Sequence, residues 1–96
     1  MTDLEIIRLC AEAKGLDVQD QRGGLILADE ILHIYTGRRY DPLHDDAQAM
    51  ALVKKFPAEC LSALQDYAHE HLMGRPLDLN RAICECVAKM QAAKHG

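Results

Sequence analysis

Five histidines and four cysteines are the residues of this 96-residue chain that could ligate a metal or act as nucleophiles. His69-Glu70-His71 sets two rings two positions apart. Side chains sharing a helix face are three or four apart, so this pair lacks the i, i+4 spacing of a zincin motif. His33, His44 and His95 stand alone in the sequence. Cys84-Glu85-Cys86 is not the Cys-x-x-Cys of zinc and redox motifs, and Cys10 and Cys60 are isolated. Cys84 lies near a helix start, which lowers a thiol pKa, but it also belongs to an apolar stripe that argues burial. The four thiols are expected to be buried or half-buried and structural. Asp41, Asp45 and Asp46 cluster as carboxylates for acid–base work or Mg²⁺ would. The commoner role of aspartate ahead of a helix is to cap it. Gly23-Gly24 lacks the Gly and Lys pattern of a phosphate-cradling loop. Arg38-Arg39 beside Tyr40, with Arg22 nearby, is a basic patch suited to phosphate or an acidic partner. No catalytic residue, cofactor site or metal site is expected.

The elements that would position these residues are those of one small domain spanning 1–96. Apolar residues make up 49% of the chain and charged residues 27%, the balance of an ordinary globular protein. With no Trp, one Phe and three Tyr, the core must be aliphatic. A core that small gains from a second copy, so a homodimer is a reasonable expectation. Eleven basic residues against fifteen acidic give a net charge of −4, which argues against a general nucleic-acid binder. No apolar run is long enough for a membrane span, and no secretory signal opens the chain. A cytoplasmic location with reduced thiols is therefore expected.

Thr2-x-x-Glu5 is a capping box for a helix over 2–14, with Leu4, Ile7, Cys10 and Ala11 on an apolar stripe widened by Ile6 and Ala13, and Gly15 as its C-cap. Gly23-Gly24 reads as a turn between short runs, and 25–35 favours strands of an antiparallel meander. A helix from Leu25 to Thr36 capped by Gly37 is the alternative, because short apolar runs fit both periods. Residues 38–43 read as a connecting loop. A helix follows from Asp45 to Phe56 with Ala47, Met50 and Val53 inward. Pro57 stops it and opens another over 58–73, with Leu61, Leu64, Ala68 and Leu72 as its stripe, Cys60 and Tyr67 beside them, and Gly74 as its stop. Asn80 is expected to cap a last helix over 81–94, carrying Ile83, Val87 and Met90 inward, with Leu79 stapled to Cys84. The fold class is α+β: an N-terminal helix, a small antiparallel meander, then three helices packed on it. An all-α bundle is the alternative.

The segment Tyr40-Asp41-Pro42-Leu43-His44-Asp45-Asp46-Ala47, running on to Phe56, resembles the Asn-Pro-Leu-Thr-Asp-Asp-x-x-Ala pattern of small phage and prophage proteins of the phage ABA-sandwich-domain family. The opening Met1-Thr2-Asp3-Leu4-Glu5-Ile6-Ile7 and the Asn80-Arg81-Ala82-Ile83-Cys84 start are also similar. Two departures stand out. His44 replaces the capping Thr, so Asp45 takes over the cap. Residues 58–73 read as helix where the family often has strands. The resemblance implies an α+β phage-encoded accessory protein and no catalytic residues.

The expected function is therefore non-enzymatic: a phage or prophage accessory protein that binds a host or phage protein. Inhibition of a host antiviral defence such as a CRISPR effector is one form this takes. The alternative is a nucleic-acid-binding phage regulatory protein. The candidate partner-binding residues are Arg38, Arg39, Tyr40, Asp41 and His44, since binding side chains often sit on loops held by a scaffold.

Overall fold

A computed structural model describes residues 1–21, 24–28, 38–75 and 77–95. The strand expected over Ile31–Tyr35, His33 and the Gly37 cap lie outside the described residues. Helix α1 (Asp3–Lys14) starts where Thr2 Oγ1 accepts from the Glu5 N–H at 3.2 Å. It ends at Gly15, whose φ of 71° lets the Leu16 N–H reach back to the Ala11 carbonyl. The chain then forms three antiparallel strands in the order β1 (Val18–Gln21), β2 (Gly24–Leu27) and β3 (Arg39–Tyr40). Val18 pairs with Leu27, Gln21 with Gly24 and Leu25 with Tyr40. The fold is thus α+β, and the helical alternative from Leu25 onward is excluded at 25–27. Arg39-Tyr40 is strand rather than loop, because β2 offers a free edge that fixes these two residues through pairing.

Helix α2 (Asp46–Lys55) is capped by Asp45, whose Oδ1 accepts from the Gln48 N–H at 3.0 Å. Pro57 then opens α3 (Pro57–Leu72), and Gly74, at φ 75°, closes it. Helix α4 (Leu79–His95) begins two residues earlier than expected. Its cap is Asp78, whose Oδ1 accepts from the Arg81 N–H at 3.2 Å, not Asn80. A carboxylate suits the positive end of the helix better than an amide. Asn80 instead donates through Nδ2 to Asp46 Oδ1 at 2.8 Å, tying α4 to α2. Leu79 is consequently the first helical residue and not a staple ahead of the cap.

Helix α4 is the hub. It packs against α1, α3 and α2, while α1 also covers β2. The core joins Ile6, Cys10 and Ala11 of α1 to Leu25 and Tyr40 of the sheet, Leu52 of α2, Cys60 of α3, and Ile83, Cys84 and Val87 of α4. Each large aliphatic side chain fully buried here is worth about 1.5–3 kcal/mol. Two helices are rotated from their expected phase. In α2 the inward residues are Ala49 and Leu52, with Val53 and Phe56 packed beside them, while Met50 is exposed. In α3 the inward residues are Cys60 and Ala63, and Leu61, Ala68 and Leu72 face out. Small side chains at 60 and 63 allow a close approach to α4, and that fixes the rotation. Exposed ion pairs from Arg81 to Asp3 (2.7 Å) and from Arg8 to Asp20 (3.6 Å) link α4 and β1 to α1. Such pairs contribute little each.

Candidate partner-binding surface

The corner from β3 into α2 holds the five candidate residues. In β3 successive side chains point to opposite faces, so Arg39 projects outward and Tyr40 inward. Arg39 lays its guanidinium over Gly24. A Cβ at Gly24 would lie 2.7 Å from Arg39 Nη2, so any side chain there would push the guanidinium aside. Arg38 is exposed, and its carbonyl accepts from the Leu27 N–H at 2.9 Å, extending the β2–β3 pairing.

Tyr40 is only 2% exposed and cannot meet a partner with its ring. Its hydroxyl is buried without a hydrogen-bond partner among the described residues. Burial pushes the phenol pKa well above its ordinary value, and the nearby Cys10 and Cys84 add to this. Asp41 is turned partly inward. Its Oδ2 meets His44 Nδ1 at 2.8 Å, and its Oδ1 is a second buried atom without a described partner. His44 is at the surface, with its side chain 76% exposed.

The corner is tightly braced. The Gln48 side chain accepts from the Asp41 N–H at 2.6 Å and donates to the Arg39 carbonyl at 3.0 Å, so α2 grips the end of β3. The Asp41 carbonyl accepts from the His44 and Asp45 N–H groups at 3.1 and 2.9 Å. Pro42 and Leu43 are both buried. The Pro-Leu-x-Asp-Asp run is therefore a plug and a helix cap, and its aspartates are committed to structure. Arg38, Arg39 and His44 are exposed polar side chains of this frame, with Arg38 and Arg39 on opposite faces of the β2–β3 ribbon. Beside Arg38 lies a shallow cleft of about 300 Å³, lined by Lys14, Leu16, Leu27, Arg38, Gln48 and the edge of Tyr40. Sequence reasoning missed Lys14, which the fold brings to this cleft from the end of α1. There Lys55 of α2 also donates to the Lys14 carbonyl at 3.2 Å.

The remaining reactive groups lie elsewhere. Cys10, Cys60 and Cys84 are fully buried free thiols, and Cys86 is half-buried with its Sγ 3.9 Å from Ser62 Oγ. Cys10 donates its S–H to the Cys84 carbonyl at 3.4 Å. The Cys84 thiol pKa is driven up, first by hydrogen bonding with Cys10 and then by burial. Its place in the first turns of α4 does not make it a thiolate. The Cys60 thiol is pushed up to about 11, chiefly by burial and then by Cys86 and Glu59. His71 stacks on Tyr67, with centroids 5.8 Å apart, and His69 is exposed. Among the described residues no group of three or more His, Cys, Asp or Glu could hold a metal ion. No helix among them is long and apolar enough to cross a membrane. No protein-family model matches the chain, and no curated protein or solved structure matches it.

Proposed function

We propose that this protein is a non-enzymatic accessory protein of a phage or prophage. It acts in the host cytoplasm by binding another protein through the corner at residues 38–44. The observation that carries this reading is the outward display of Arg38 and Arg39 by an acidic chain, on a frame held by Gln48, Pro42 and Leu43. Guanidinium groups carried on a braced backbone suit carboxylates on a partner. The phage assignment rests on the resemblance of the Pro42-Leu43-His44-Asp45-Asp46 run and of the opening and closing helices. Modulation of host machinery follows from that assignment, and inhibition of a host antiviral defence such as a CRISPR effector is one form of it.

The test is copurification of tagged protein from a bacterial host at low and high salt, with and without nuclease. The reading predicts one stoichiometric protein partner that survives nuclease and weakens at high salt. A set of partners released by nuclease would replace it with nucleic-acid binding.

A further inference from the structure

Helix α3 carries a second surface, unrelated to the corner. Ala58, Leu61, Gln65, Ala68 and Leu72 follow one another at alternating spacings of three and four, which is the a/d seam of a coiled coil. All five are exposed; Leu61 is 52% and Leu72 85% accessible. The helix packs on α4 with its other side, through Cys60 and Ala63. Ser62 and His69 border the seam on one flank. The carboxylates Glu59, Asp66 and Glu70 are turned more than about 100° away from its centre. Glu70 is held by Arg75 at 2.7 Å. A chain that is 27% charged has thus kept a whole exposed helix face free of charge.

The geometry points to a second copy of this chain as the occupant, paired antiparallel through α3. Four of the five seam residues, Leu61, Gln65, Ala68 and Leu72, are symmetric about the midpoint between Asp66 and Tyr67. A two-fold axis there sets Leu61 of each chain against Leu72 of the other, and Gln65 against Ala68. Such self-complementarity is what an isologous dimer requires, and a face without charge brings no like-charge repulsion when it meets itself. The antiparallel setting also opposes the two helix dipoles. A 16-residue helix offers a contact strip about 24 Å long and 10 Å wide. That is about 240 Å² per chain, well below the roughly 1,200–2,000 Å² in total that standard specific interfaces bury, so the dimer is weak and reversible, micromolar at its tightest, rather than obligate.

Sedimentation velocity on the full chain from about 5 to 500 μM tests this, at concentrations bracketing a micromolar Kd. The wild type is expected to shift from monomer to dimer across that range. Leu61→Glu and Leu72→Lys, each at an exposed position and so compatible with folding, are each expected to weaken the dimer at least about tenfold. Mixed in equal amounts, the two variants are expected to recover it. In the mixed pair the introduced glutamate and the introduced lysine face each other at one end of the seam, and the two native leucines meet at the other. A wild type that stays monomeric at the highest concentration would overturn the proposal. So would a dimer indifferent to both substitutions, or a mixture that fails to recover. Circular dichroism of each variant confirms that the helices are intact. None of these outcomes bears on the corner at residues 38–44, which copurification probes separately.

Discussion

The corner at residues 38–48 and the outer face of α3 are both exposed, yet they are built in opposite ways. At the corner, polar side chains are displayed by a well-bonded backbone: β2 holds β3, Gln48 clamps Arg39 and Asp41 to α2, and Pro42-Leu43 anchors the turn. On α3, apolar side chains are displayed by a regular helix whose opposite side alone is packed. The corner has spent its stability on orientation, which favours selective recognition of a charged partner. The α3 face offers area without fixed polar groups, which favours association driven by burial. A surface leucine and a surface arginine thus say different things about what they meet.

Substitutions can break this contrast at its ends. The largest effect is expected at the anchor: Leu43→Ala should cost about 2–5 kcal/mol of folding stability, read by urea denaturation, because it empties a buried site under the corner. Alkaline pH acts next. The folded-state pKa of Cys60 is raised to about 11 from 9.0, so above pH 9 the unfolded chain loses its proton first. Stability is therefore intact below pH 9 and falls through pH 11, by an amount on the order of 2 kcal/mol from this thiol. Tyr40 and Cys84 shift in the same direction and extend the loss to higher pH. Cys60→Ala should flatten the slope between pH 9 and 11 in denaturation curves. Smaller still is the cap: Asp45→Ala should cost about 1 kcal/mol. Asp78→Ala should lose a similar amount at α4, and Asn80→Ala less than either. Last comes Leu72→Ala, expected to change the stability of the dilute monomer by less than about 0.5 kcal/mol. A large loss there would mean that the α3 face is covered within the chain.

Most helix ends are legible in the sequence because capping is local; the start of α4, capped by Asp78 and not Asn80, is the exception. Thr2, Asp45, Gly15 and Gly74 each act on backbone within a few residues, and each does what its type predicts. The helix phases are less legible. In α3 the larger side chains of Leu61 and Leu72 outweigh Cys60 and Ala63 on any hydropathy pattern, but close packing on α4 selects the small pair. In α2 the run Ala49, Leu52, Val53, Phe56 has helical spacing too, and nothing local ranks it above Ala47, Met50, Val53. Strand β3 reads as loop because two residues carry no period of their own, and their conformation comes from β2. The same gap hides the inward turn of Tyr40. Once Arg39 is known to pair with Ile26, alternation alone puts Arg39 outside and Tyr40 inside.

The binding role of the corner is tested most directly by side-by-side copurification from the bacterial host with three baits: wild type, Arg38→Glu/Arg39→Glu and Leu72→Lys. One protein partner is expected on the wild type, lost from the double arginine variant and retained by the Leu72 variant. A partner that ignores the arginines and disappears with Leu72→Lys would contradict this, and would move the binding function from the corner to α3.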